Sequence, residues 1–156
     1  ALQWLPDHQT LFPRLAGLLE PGGVFACQMP MAYETEHHQI LRETAEEGPW
    51  AALTRDARRI NPTPALADYH GWLSRTCGEV DLWTTTYLHA LEGDDPVVDW
   101  IRGPALRPYL DVLEGEPDLL EAFLDAFRQR IARAFPPREE GLTLFPFPRL
   151  FMVAVR

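Results

Sequence analysis

Hydrophobic positions along this chain recur with two periods, and the change from one to the other lays out an α/β order. Leu11, Leu15, Leu18 and Leu19, with Phe12 among them, fall at helical spacing behind Asp7. The short Asp7 carboxylate suits a helix N-cap, and Pro21-Gly22-Gly23 predicts where the helix stops. The run Val24-Phe25-Ala26-Cys27-Gln28-Met29 then reads as a strand of the kind buried on both faces in a parallel sheet, ended by Pro30.

Beyond Met31 the sequence turns polar and helix-forming. Glu34 to Glu47 predicts one helix, closed by Gly48-Pro49. Pro64 starts another, which places Leu66, Tyr69 and Leu73 on one face before Cys77-Gly78. Between them, Trp50 to Thr63 carries Asp56, Arg58 and Arg59 and reads as loop or broken helix.

Val80 to Leu91 has the strongest strand pattern. Alternation assigns Val80, Leu82, Thr84, Thr86 and Leu88 to one face and Trp83, Thr85, Tyr87 and His89 to the other. Gly93-Asp94-Asp95-Pro96 predicts a turn and a helix start, and Gly103-Pro104 a break before a second piece from Ala105 to Leu113. Glu116-Pro117 opens a long helix with the stripe Leu120, Leu124, Phe127, Ile131 and Phe135, Phe123 beside it, ended by Pro136-Pro137. The last run, Leu144 to Val155, reads as a buried strand. Pro146 and Pro148 cannot donate to a ladder, so its pairing should begin near Arg149.

The resulting order is helix, strand, helices, strand, helices, strand. The chain opens on the helix-then-strand half of a crossover unit without the parallel strand that should precede it. The expectation is therefore the C-terminal part of a larger α/β domain, with residues 31–78 as a helical insert over the active-site side.

Composition narrows the function classes. With 156 residues, the chain is long enough to bury roughly two-thirds of its unfolded surface. Its 46% hydrophobic and 11% aromatic content is that of a globular chain. No apolar stretch approaches the ~20 residues of a membrane span and no signal-peptide pattern is present, so a cytoplasmic location is expected. The balance of 23 acidic against 14 basic residues, −9 net, repels nucleic-acid phosphates and anionic membranes, and neither is expected as a partner. All the basic residues are arginines. That excludes lysine chemistry within this segment and leaves a side chain suited to gripping carboxylates with a planar fork of donors. Cys27 and Cys77 lack disulfide-scaffold or metal spacing and read as two buried thiols. Glu34 with His37 or His38 invites a metal reading. The two neighbouring histidines diverge by about 100° on a helix, so only one joins Glu34; no partner motif follows, and no metal is expected.

The segments LQWLPDH, PGGVFACQMP, VDLWTTTYLHAL, WIRGPALRPYL and FPRLFMVAVR, in this order, resemble the C-terminal two-thirds of the trans-aconitate 2-methyltransferases. These are S-adenosylmethionine-dependent methyltransferases with a Rossmann-like fold. The resemblance implies three strands with covering helices here and an N-terminal cofactor-binding half, with its glycine-rich loop, outside this sequence. Ala1, Leu2, Gln3 and Trp4 would then line what remains of the cofactor crevice, and Met29 to Met31 would lie at the carboxyl end of a strand, where such folds bind ligands.

The implied reaction is methylation of one carboxylate of a small tricarboxylic acid. It needs no general base, because the carboxylate is already ionised at neutral pH. Arg107 in ALRPY and Arg149 in FPRLF match the family's segments and are the preferred carboxylate clamps. Trp4 is placed against cofactor or substrate, with a core aromatic as the alternative. Tyr69, Tyr87 and Trp83 could donate to a carboxylate or simply pack. Where family members usually read QMPDN, this chain has Gln28-Met29-Pro30-Met31-Ala32, two polar groups replaced by apolar ones. The predicted strand 24–29, without its outer neighbour, would also be an apolar edge through which the isolated segment self-associates.

Overall fold

A computed structural model describes residues 2–57 and 62–156. A single 3-10 turn, Leu2–Trp4, leads into α1 (His8–Gly17), β1 (Val24–Pro30), α2 (Glu36–Glu47), α3 (Leu66–Leu73), β2 (Glu79–Leu91), α4 (Pro96–Ile101), α5 (Arg107–Leu113), α6 (Pro117–Ala134) and β3 (Thr143–Val155). The order matches the hydrophobic pattern. Arg58 and Arg59 lie outside the described residues. The strands form one sheet in the order β1-β3-β2. β1 runs antiparallel to β3 with Val24 opposite Val155 and Pro30 opposite Arg149. The expectation that pairing of the last strand begins near Arg149 is corrected: β3 starts at Thr143 and takes Pro146 and Pro148 into the sheet, because a proline lacks only the N–H and its carbonyl still accepts, as Pro148 O does from Met31.

The chain divides into two compact units, one of Ala1–Ala32, Pro62–Tyr87 and Phe147–Arg156, the other of Tyr33–Asn61 and Leu88–Pro146. In the first, Phe12 and Ala16 of α1, Tyr69 and Leu73 of α3, Met29 of β1, and Leu150, Met152 and Ala154 of β3 form the core, with Leu2, Phe25, Cys27, Val80 and Leu82 leaning on it. Burying each large apolar side chain in this way contributes roughly 1.5–3 kcal/mol. The inner stripe of α1 is His8, Phe12 and Ala16, one residue every turn. Leu18, expected on that stripe, instead caps the helix C-terminus and is 77% exposed.

The expectation that β1 is buried on both faces in a parallel sheet is corrected here. Its sheet neighbour β3 is antiparallel, and α1 and α3 both pack on the face that carries Phe25, Cys27 and Met29. The alternate residues Val24, Ala26 and Gln28 are exposed. The sheet's other face carries Trp83 stacked on Phe151, ring centroids 5.4 Å apart. The thiols divide in the same way: Cys77 is buried, whereas Cys27 is half-buried, not enclosed as expected.

In the second unit α2 packs along α6. The buried stripe of α6 is Phe123, Phe127 and Ile131, so Phe123 lies at its centre and Leu120 and Leu124 at its margins. Trp50 meets Phe123 edge-on and Tyr109 stacks on it. Gly103-Pro104 does not break the chain out of helix. Arg102–Leu106 widens into a π-helical turn continuous with α4 and α5, a geometry that tolerates the missing N–H of Pro104. Asp95 precedes the helix that Pro96 starts, and Arg128 binds its carboxylate at 3.1 Å.

Candidate functional site

In the first unit, the carboxyl end of β1 brings together residues from two strands. Pro30 stands opposite Arg149 in the ladder, and Gln28 two residues back lies on the exposed face. The Arg149 Nε–H donates to Oε1 of Gln28. Its guanidinium also lies 5.8 Å from the centre of the Phe147 ring. A neutral amide thus orients this cation, and among the described residues no carboxylate pairs with it. An arginine held by Nε keeps its Nη edge for a bidentate anion. The loop after β1 is fixed by its backbone: Met31 N–H donates to Pro148 O at 3.0 Å, and Thr63 Oγ1 to Pro30 O at 3.3 Å.

The other residues singled out in the sequence fall in different places. Met29, beside this site in sequence, has its side chain fully buried in the core. Tyr87 is 43% exposed on the aromatic face, its ring 6.5 Å from Phe151. Trp83 lies on that face as well. Arg107 belongs to the second unit, at the start of α5. Its Nε bonds Asp111 one turn on at 2.6 Å, with the arginine side chain 71% exposed. Arg107 and Arg149 are each oriented through Nε, but one partner is an amide and the other a carboxylate that cancels much of the charge.

At the start of the chain, Leu2–Trp4 forms its tight turn with Leu5 N–H donating to Leu2 O at 3.0 Å. Leu2 packs on the core, whereas Trp4 is 64% exposed. Ala1 lies outside the described residues. Tyr69 is fully buried, and its hydroxyl is 2.6 Å from Nδ1 of His8. Burial raises its phenol well above the ordinary range, with the neighbouring Cys27 and Asp68 charges adding to the effect. His8 is buried, and its Nε2 is 3.0 Å from Leu2 O. Sequence reasoning passed over His8. The available signal was its position directly after the N-cap Asp7, one helical turn before Phe12.

His37 and His38 sit on the second unit's α2. Burial lowers the pKa of His37 to about 3, with His38 adding to the effect, and that of His38 to about 4, with Arg42 adding to it. His37 packs edge-on against Phe145 at 4.9 Å and lies 3.3 Å from Thr35 Oγ1. Among the described residues no helix is long and apolar enough to cross a membrane.

No family model matches the chain. Whole-sequence comparison is decisive instead. The chain is 49% identical over 155 residues to a trans-aconitate 2-methyltransferase of Azoarcus sp. (strain BH72), covering 99% of this chain and 60% of the relative. Over nearly its whole length it is similar to that family, consistent with a C-terminal part of it. Trans-aconitate 2-methyltransferases of Methylobacterium radiotolerans, 46% identical over 98% of this chain and 59% of the relative, and Streptomyces coelicolor, 40% identical over 98% and 50%, agree. The chain therefore spans 50–60% of the length of these relatives. The segments LQWLPDH and FPRLFMVAVR lie within the matched length, because the match takes in 99% of the chain.

Proposed function

We propose that this chain is the substrate-binding part of an S-adenosylmethionine-dependent carboxyl O-methyltransferase whose acceptor is a small tricarboxylic acid of the trans-aconitate kind. The observation that carries the reading is Arg149, an arginine at the carboxyl end of β1 oriented by a neutral amide, in a chain 49% identical to a trans-aconitate 2-methyltransferase. Ligands of α/β folds gather at the carboxyl ends of strands.

S-adenosylmethionine supplies an activated sulfonium methyl when bound. The residues here fit part of such a ligand. The exposed Trp4 indole offers a flat apolar face, on a turn whose Leu2 carbonyl is already satisfied. Leu2, Gln3 and Trp4 would hold one side of it, and the remainder of its site is assigned to the part of the family's length that this chain does not span.

This chain's own work is orientation. Arg149 pairs with a carboxylate that does not react, which fixes the acid and neutralises charge that would otherwise oppose closure. Arg107, in the other unit, is a weaker candidate carboxylate ligand considered by itself, because Asp111 competes for its guanidinium. One carboxylate oxygen, ionised without help, attacks the methyl carbon. The new O–CH3 bond forms as the S–CH3 bond breaks, and sulfur keeps the electron pair. No proton moves.

The test is transfer of labelled methyl from S-adenosylmethionine to trans-aconitate by the full-length protein, with product identified as a monomethyl ester. A product from a different small acid, with trans-aconitate inert, would move the proposal to another acceptor; Met31 and Ala32, where the resemblance implies polar residues, are then the first to substitute. No methyl transfer to any carboxylic acid would end it.

The position of β1 favours one further reading, for the isolated segment. β1 is an edge strand with Val24 56% exposed. Such an edge pairs with other chains, and the isolated 156-residue segment is expected to self-associate and to be catalytically inactive. Sedimentation of that segment as a monodisperse monomer at high concentration would contradict this.

A further inference from the structure

Both ring nitrogens of His8 are spent inside the protein. Leu2 O is a carbonyl and only accepts, so Nε2 carries a proton and donates it there, 3.0 Å away. In the neutral ring Nδ1 is then an acceptor, and Tyr69 donates its hydroxyl proton to it at 2.6 Å. The chain Tyr69 O–H to His8 to Leu2 C=O joins α3, the first residue of α1 and the turn that exposes Trp4. Phe12 closes around it, 5.1 Å from the His8 ring and 4.9 Å from the Tyr69 ring, centroid to centroid.

The backbone between the two ends is itself constrained. Asp7 adopts the left-handed conformation, φ 53°, ψ 56°, the described residues' only positive φ outside glycine. Asp tolerates this better than most residues, yet it is sparsely populated and persists where the surroundings impose it. It turns the chain so that the His8 ring, at the start of α1, faces back to Leu2. Leu2 O then accepts twice, from His8 and from the Leu5 N–H.

We propose that His8 and Tyr69 are positioning residues: the Tyr69–His8–Leu2 relay locks the Leu2–Trp4 turn and holds the Trp4 indole out at a fixed angle for the methyl donor. This rests on the reading that the turn faces the cofactor. It also changes the role of Tyr69. Its one hydroxyl proton is committed to His8, so it acts on the turn and not on the acid's carboxylate.

The test uses the full-length protein with Tyr69→Phe, His8→Asn and His8→Gln. Tyr69→Phe removes one hydroxyl and keeps the ring in the core. Asn reproduces the Nδ1 position and loses the bond to Leu2, whereas Gln reproduces Nε2 and keeps it. The first readout is amide hydrogen exchange at Leu5 against Met152 in the core strand. The second is affinity for S-adenosylhomocysteine, with the Michaelis constant for trans-aconitate beside it.

The expected result is that Tyr69→Phe and His8→Asn speed Leu5 exchange and weaken S-adenosylhomocysteine binding, each by roughly tenfold, with Met152 exchange and the acid's Michaelis constant unchanged. His8→Gln, which keeps the bond to Leu2 but not that to Tyr69, gives an effect on both no larger than that of Tyr69→Phe. Unchanged Leu5 exchange in Tyr69→Phe and His8→Asn overturns the relay, as does an effect confined to the acid's Michaelis constant, which would make Tyr69 a substrate ligand. Faster Leu5 exchange with unaltered S-adenosylhomocysteine affinity supports the relay as a lock on the turn and overturns the cofactor-facing reading of Leu2–Trp4.

Discussion

The indole of Trp50 occupies the space that a side chain at Gly48 would need: a Cβ there would lie 2.0 Å from the Trp50 Cε2. The backbone at Gly48 is extended, φ −96°, ψ 175°, which any residue adopts. Space alone demands the glycine. The ring is held by its Nε1–H, which donates to Thr44 O at 2.7 Å, and by Phe123 against its edge. Gly48→Ala therefore forces the buried indole aside and is expected to destabilise the protein by about 1–3 kcal/mol. Urea denaturation measures it, and a change under about 0.5 kcal/mol would show that the ring yields freely.

Arg149 and Arg107 make a matched pair for testing what an arginine's partner does to its use. Arg149→Ala is expected to raise the Michaelis constant for the acid by roughly 10–100-fold, the worth of a hydrogen-bonded charge, with little change in melting temperature. Arg149→Lys should recover only part of this, because an ammonium lacks the fork. Steady-state kinetics on the full-length protein decides; an unchanged constant removes Arg149 from the site.

For Arg107→Ala the expectation is smaller on both counts. Its ion pair with Asp111 joins two exposed side chains within one turn of α5, and such pairs contribute only about 0.3–0.5 kcal/mol. Asp111→Asn frees the guanidinium and should lower the acid's Michaelis constant if Arg107 is a clamp. The same constant in both variants would leave Arg107 a surface residue.

The two histidines of α2 give stability a definite pH dependence. Both pKa values are depressed by burial, to about 3 for His37 and about 4 for His38, from an ordinary 6.5. Between those values and 6.5 the unfolded chain binds protons that the folded chain refuses, so the unfolded state gains as pH falls. Their contribution is complete above pH 6.5 and is lost progressively from there down towards 3. Chemical denaturation across this window should show stability falling with pH, and His37→Phe, which keeps a ring against Phe145, should make the slope shallower. An identical slope would mean that His37 does not contribute to it.

The sequence by itself determined the order of elements and most of their ends. Spacing of apolar residues, proline and glycine are local signals, and they marked β2 and α6 but not the start of β3, because a proline lacks only its N–H and its carbonyl still accepts. Resemblance of ordered segments reached the family, which the relatives bear out. Periodicity does not say which side of an element is covered, however. The tertiary structure decided that β1 is buried on one face only, that the α1 stripe turns on Phe12 and Ala16, and that Gly103-Pro104 is absorbed by a widened helical turn. It also decided the partners of polar atoms. That Arg149 meets Gln28 across a ladder, and that Tyr69 reaches His8 61 residues away, follows from strand register and helix packing. Those are set by the sum of many contacts distant in sequence, which no window along the chain contains.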